Sequence, residues 1–313
     1  MEYKVHFKNI LEMLTKLPDE KSCREYVEHM RWSGKPRCVH CKCKKVYKLN
    51  VKGEFNGLYK CALCRKRFTV KVGTIFEGSH ISLQKWLYAI FIFTSHKKGI
   101  SSHQLAKDLS LTQKSAFFLL GRIRFALEPR EAHVKFTGVS TVDESFVGGK
   151  NKNRHRDKKV PQSQGRSYKD KTPVFGMINN GVLVTRVIPD TKAKTLKPII
   201  RELVEKGEIV VSDEWKGYWN LGKEFSHVVV NHQKKQYVNG DFSTNNVENF
   251  WSHLKRGIYG IYHKVSREHL HRYTAEFTYR YNTRDFGEIE RFEHTLRNTE
   301  NLRLKYKDFI NAA

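Results

Sequence analysis

At 313 residues, 39% of them hydrophobic, the chain is long enough for two or three domains and a sizeable core. Its formal charge of +26 at pH 7 far exceeds what solubility requires and points to a polyanionic partner, of which nucleic acid is the usual one. The longest apolar run, Trp86 to Phe93, is too short to span a bilayer and no signal peptide precedes it. The expectation is no membrane association and a cytoplasmic location.

In residues 1–72, Ile10, Leu11, Leu14 and Leu17 recur at helical spacing ahead of Pro18 and predict one or two short helices. All six cysteines fall within the first 64 residues, and four of them form Cys38-x-x-Cys41 and Cys61-x-x-Cys64. Two thiolate pairs, each in a tight knuckle, suit one tetrahedral zinc ion better than a redox dithiol or a disulfide framework, and they imply a reducing compartment. Cys43 could replace Cys41 as a ligand, although the paired spacing favours Cys41; Cys23 reads as a buried or free thiol. Lys42, Lys44, Lys45, Arg65, Lys66 and Arg67 make this zinc ribbon basic.

Residues 73–133 read as helical. Trp86 to Thr94 predicts a buried helix, and Gly99 to Thr112 the first helix and turn of a helix-turn-helix. The second helix is expected to start with Thr112 as its N-cap and to run to about Leu127. Its early residues Gln113, Lys114 and Ser115 would then face a DNA major groove.

From residue 134 to 285 the pattern becomes α/β. A strand from Gly138 carries Asp143, and Lys150 to Lys171 follows as a loop with almost no apolar residues. Lys150, Lys152, Arg154 and Arg156 in that loop are candidate phosphate contacts, and the loop is expected to be mobile until it meets a phosphate backbone. Alternation around Asn179-Asn180-Gly181 predicts a hairpin. A helix over Thr191 to Lys206, a strand from Ile209 to Asp213 and a further strand over His227 to Val230 come next, then a helix opened by the Asn-rich turn at Asn245, and a long helix from His263 to Asn282 whose aromatics belong to the core. Residues 286–313 read as a charged appendage.

Glu248 and Lys255 lie seven residues apart, two helical turns, so carboxylate and ammonium share one face. Two strand aspartates, Asp143 and Asp213, with Glu248 make a candidate two-metal carboxylate cluster, because hard ions such as Mg2+ or Mn2+ prefer oxygen donors. Glu144 and Glu214 follow the aspartates directly, so strand alternation turns them to the opposite faces. Lys255 would grip a phosphate or balance a carboxylate, and the adjacent Arg256 is a further DNA contact.

Three blocks, VDESFVGGK (142–150), SDEWKGY (212–218) and TNNVENFWSHLKRGIYGIYHKVSREHLHRY (244–273), together with the cysteine pattern, resemble the ISXO-like DDE insertion-sequence transposases over roughly residues 30 to 285. The resemblance implies an α+β multidomain protein: a zinc ribbon holding one Zn2+, a helix-turn-helix segment, and a ribonuclease-H-like, integrase-type α/β catalytic core with two Mg2+ or Mn2+ ions. It implies that Asp143 bridges both ions while Asp213 and Glu248 each complete one, although some members use Asn at the third position, which brings in Asn245 and Asn246. The implied activity is metal-dependent cleavage at terminal inverted repeats and direct transfer of the freed 3′-hydroxyl to target double-stranded DNA, by a homo-oligomer associated with a prokaryotic nucleoid. A zinc-ribbon DNA-binding regulator or inactive domesticated descendant would leave the carboxylates without a reason; a metal-dependent nuclease would differ only in lacking strand transfer.

Overall fold

The computed structural model describes residues 5–128, 135–148, 154–163, 167–231 and 238–310. The chain forms two compact units, Met1–Leu127 with Asp285–Ala312, and Glu128–Arg284.

The first unit opens with α1 (Ile10–Lys16), capped by Asn9, and α2 (Glu20–Trp32), where Asp19 and Ser22 close a capping box. Met13 and Leu17 are the buried residues of the first helical segment, whereas Leu11 and Leu14 are 71% and 39% exposed. The stripe is therefore Ile10, Met13 and Leu17, at spacings of three and four, and not the predicted one. β1 (Val46–Val51), β2 (Glu54–Cys61) and β3 (Arg67–Phe68) form the antiparallel ribbon. Tyr59 and Phe68 stack at 5.6 Å, and Trp32 meets both rings edge-on. Beyond the ribbon, α3 (Leu83–Ser95) is buried along most of its length. α4 (Ser102–Asp108) turns through Ser110, at φ 49°, into α5 (Gln113–Leu127), and the Thr112 hydroxyl accepts from the Ser115 N–H at 3.2 Å as a helix cap does.

The second unit is a mixed five-stranded sheet in the order β6-β5-β4-β7-β8, built from β4 (Val139–Val147), β5 (Thr172–Asn179), β6 (Val182–Val187), β7 (Ile209–Asp213) and β8 (Ser226–Val230). β4 to β6 pair antiparallel, whereas β4, β7 and β8 run parallel. Asn180 and Gly181, at φ 47° and 79°, make the predicted hairpin turn. α6 (Ala193–Leu203) connects the hairpin to β7. Predicted to continue to Lys206, it stops because Val204 turns extended and bridges Phe136.

A short hairpin, β9 (Val238–Asn239) and β10 (Phe242–Ser243), leads to α7 (Asn245–Gly257) and α8 (Leu270–Asn282). The long helix α8 was expected from His263. Instead Ile258–Tyr262 forms a π-turn, and His263 at φ 59° breaks the chain's helical path. The sheet separates two apolar layers, and side-chain alternation assigns the faces. Phe175 and Met177 pack with Leu196 and Ile200 of α6, while Val174 and Ile178 pack with Val247, Phe250 and Phe277. The aromatics of α8 are core as expected: Tyr273, Phe277 and Tyr279 are buried, and the buried Glu276 accepts from the Tyr262 hydroxyl at 2.7 Å and the Arg280 Nε–H at 3.1 Å.

Gly257 lets α7 meet α8, because an added Cβ would fall inside van der Waals contact with the Phe277 ring. Gly257→Ala is therefore expected to cost about 2–3 kcal/mol by overpacking, read as a lower denaturant midpoint at unchanged slope.

Asp285–Ala312 returns to the first unit through α9 (Glu288–Arg297) and α10 (Tyr306–Ile310). Expected as a charged appendage, this segment supplies core: Phe292 packs against Phe7 and Phe91, and Phe309 sits on Gly121 between Phe117 and Phe118. Among the described residues, no helix is long and apolar enough to cross a membrane.

Candidate active site

Parallel pairing of β4 with β7 matches Ser140 with Val210 and Thr141 with Val211. The same offset carried two residues further sets Asp143 level with Asp213. The ladder between these strands stops at Thr141 and Val211, while β7 continues beside β8 to Asp213. A cleft opens where the pairing ends, at the carboxyl side of the parallel strands, a place where α/β sheets put their sites.

α7 closes the cleft. Buried Thr244 receives the N–H groups of Val247 and Glu248 on its carbonyl, and its hydroxyl donates to Glu248 Oε1 at 2.7 Å. Glu248 thus stands on the first turn and half-buried Lys255 two turns later. The resulting cleft, about 390 Å³, is lined by Asp143, Asp213, Glu248 and Lys255, with Trp251 and Ser252 among its other walls. Neither Asn245 nor Asn246 lines it.

Electrostatics in the cleft are unbalanced toward negative charge. Burial, then the neighbouring Asp213, pushes the Asp143 carboxyl up to about 7, against hydrogen bonds from the Glu144 backbone and Trp251. The Trp251 Nε1–H donates to Asp143 Oδ2 at 2.9 Å, and the Trp215 N–H donates to Asp213 Oδ1 at 3.0 Å. Burial also lowers the Lys255 ammonium, with Asp143 opposing. Oxygen donors gathered at a cost in repulsion fit a hard divalent cation. Glu144 lies on the α6 side of the sheet and accepts from the buried Tyr218 hydroxyl, as alternation predicts, although it also touches the cleft wall.

In the ribbon, Cys38, Cys41, Cys61 and Cys64 hold their sulfurs within 4.8 Å of one another, with Cys38 to Cys64 at 3.6 Å and Cys41 to Cys61 at 3.5 Å. Four thiolates at that spacing fit one tetrahedral zinc ion. Burial pushes the Cys38 thiol up to about 12, while at Cys61 burial is outweighed by hydrogen bonds, led by the Cys64 N–H, that hold the thiol near 6. Cys43 stays outside the group and donates to the Lys45 carbonyl at 3.7 Å. Among the described residues, these cysteines are the one set of three or more ligands close enough for a single ion; the three carboxylates of the cleft are more widely spread.

The candidate DNA contacts divide between the units. Gln113 and Lys114 belong to the first, where Gln113 Nε2 donates to Ser102 Oγ at 2.9 Å and Lys114 is exposed. In the second, Arg156 and Arg256 are exposed, and Arg154 pairs with Asp170. Lys150 and Lys152 lie outside the described residues. The described part of the basic loop, expected to be mobile until it meets a phosphate backbone, is tied down at several points: besides the Arg154 pair, Tyr168 Oη is 2.7 Å from Thr191 Oγ1, and Arg267 donates to the Tyr168 and Lys169 carbonyls. Asp170, the Tyr168 hydroxyl and two backbone carbonyls of the loop supply these contacts, which its composition alone hides.

Sequence reasoning passed over Trp251 and Gly176. Trp251 sits three residues after Glu248 and four before Lys255, the spacing of one helix face. An isolated glycine inside a strand, as at Gly176, signals a close approach.

Residues 135–282 match the ISXO2-like transposase domain, and residues 18–67 match the transposase zinc-ribbon domain. The chain is 26% identical over 272 residues to an uncharacterized protein in transposable element ISH50 of Halobacterium salinarum, across 83% of this chain and 90% of that protein. It is also 36% identical over 104 residues to an uncharacterized transposase-like protein of Haemophilus influenzae, across 31% of this chain and 79% of that protein. Two transposase domains in one chain, with the four-cysteine site in one and the carboxylate cleft in the other, lead to one conclusion: the chain belongs to the ISXO2-like transposase family.

Proposed function

We propose that the chain is the DNA transposase of an insertion sequence, which cuts at terminal inverted repeats and joins the freed 3′-hydroxyl to target DNA. The observation that carries this reading is the levelling of Asp143 with Asp213 on neighbouring parallel strands, opposite Glu248 and Lys255 of α7. A mixed sheet packed on both faces, with acidic residues at the carboxyl ends of its neighbouring parallel strands β4 and β7, supports a ribonuclease-H-like arrangement of this unit. Asp143, Asp213 and Glu248 would hold Mg2+ or Mn2+ ions, which, when bound, activate the attacking hydroxyl and neutralise the leaving oxygen.

The chain's own groups do the rest. Asp143 would be the ligand common to both ions; burial first, and then the neighbouring Asp213, push its carboxyl up to about 7, and a bound cation would relieve that repulsion. Lys255 stands in the same cleft as a phosphate contact, and Arg256 extends that grip along the exposed side of α7. The ribbon, with α4 and α5, reads the transposon end, Lys114 being the exposed cation of the first turn of α5. Pairing two DNA ends calls for at least a dimer, working in the cytoplasm on nucleoid DNA.

The test is a joining assay with the repeats flanking the gene, Mg2+ or Mn2+, and a supercoiled target. Glu248→Gln is expected to lower joined product by about 100-fold or more with repeat binding intact. Cleavage without joining by the wild-type protein would leave a nuclease, and binding without either reaction would leave a DNA-binding regulator.

A further inference from the structure

We propose that Trp251 is a positioning residue for the Asp143 carboxylate and that Gly176 is the cut-out that admits its ring; the inference rests on the reading of Asp143 as a metal ligand. Asp143 and Gly176 face each other across the β4–β5 ladder. A Cβ at position 176 would lie 2.6 and 2.8 Å from Cζ2 and Cη2 of Trp251. The indole therefore occupies the space that any larger residue on β5 would fill. Phe250, 5.0 Å away between ring centroids, packs beside it. Only 4% of Trp251 is exposed, and its Nε1–H ends 2.9 Å from Asp143 Oδ2.

A carboxylate turns easily about its terminal torsion, so a wedged ring that donates to one oxygen sets the plane in which the other is presented. An indole is suited to this task, since it only donates and cannot compete as a ligand or take the proton. The same helix face carries Glu248, Trp251 and Lys255. α7 therefore brings one ligand of its own and orients a ligand of the sheet, as a single rigid element. Hydrogen bonds of this kind to metal-binding carboxylates typically matter about 10-fold or more in metal affinity.

A buried indole also wants an acceptor merely to satisfy its N–H, so the test must separate positioning from packing. Mn2+ affinity of the full-length, zinc-loaded protein, by isothermal titration calorimetry, is compared among wild type, Trp251→Phe, Gly176→Ala and Asp143→Asn, with melting temperature measured alongside. Trp251→Phe keeps the ring and loses the donor. It is expected to weaken Mn2+ binding about 10-fold while the folded structure persists. Gly176→Ala, which keeps the donor but displaces it, is expected to weaken Mn2+ in the same direction, and the double variant to be no worse than Trp251→Phe alone. Unchanged Mn2+ affinity in Trp251→Phe, with Asp143→Asn weakened, overturns the positioning role and leaves the metal site standing. If Trp251→Phe fails to fold, Gly176→Ala decides: unchanged affinity there overturns the proposal. Unchanged affinity in Asp143→Asn removes both.

Discussion

Asp143→Asn is expected to reduce DNA cleavage and joining by roughly 1,000-fold or more while repeat binding stays at the wild-type level. The amide has the shape of the carboxylate and can still accept from the Trp251 N–H through its oxygen, so the cradle made by β5 and α7 is kept. What disappears is the charge shared between Asp213 and Glu248. Because burial and those two neighbours push the Asp143 carboxyl up to about 7, its ionisation opposes folding in the metal-free protein. The sign follows from proton counting. Between the ordinary carboxylate range and about pH 7, the folded chain keeps a proton that the unfolded chain releases, so stability falls as pH rises through that window. Asp143→Asn should lack this fall and melt no lower than wild type at pH 7.5. Wild-type levels of joined product from the mutant would remove Asp143 from the reaction; a lowered melting temperature with lost binding would point to a folding defect instead.

Removing zinc is expected to unfold the ribbon. The apolar cluster there centres on Cys38, Tyr59, Cys61 and Phe68, so two of its four fully buried members are also ligands. A three-stranded sheet this small cannot hold itself, and structural zinc sites of this kind contribute roughly 10 kcal/mol or more at neutral pH. Chelation, or Cys61→Ser, should abolish hydrogen-exchange protection across β1 to β3 and release about one zinc per chain. Protection over Ile209–Asp213, in the separate sheet unit, should persist. Amides of the ribbon that stay protected after complete zinc loss would show that the aromatic stack of Trp32, Tyr59 and Phe68 suffices.

Much of this architecture was legible because its signals are local. Strand alternation, the Asn180-Gly181 turn, the Thr112 cap and the doubled Cys-x-x-Cys spacing each involve neighbours within a few residues, and each element formed where expected. The four cleft side chains could be named for a related reason: two sit at strand positions and two lie on one helix face, so only the pairing of β4 with β7 had to be supplied. What was hidden depends on partners far along the chain. α6 ends early because Val204 bridges Phe136, and α8 starts late because a π-turn and the left-handed His263 carry the chain out of α7. Helix spacing puts Trp251 on the face of Glu248 and Lys255, but that its indole nitrogen meets Asp143, 108 residues away, comes only from the fold.

The return of residues 285–312 to the first unit orders events during synthesis. The ribosome makes the cysteine ribbon and the α4–α5 pair first, then the whole sheet unit, and only at the end the helices carrying Phe292 and Phe309. Until then Phe7 and Phe91 lack the ring that covers them, and the seat on Gly121 stands empty. A stop codon or frameshift after residue 285 would therefore spare every residue that lines the carboxylate cleft, and would leave unfinished the half of the molecule that was translated first.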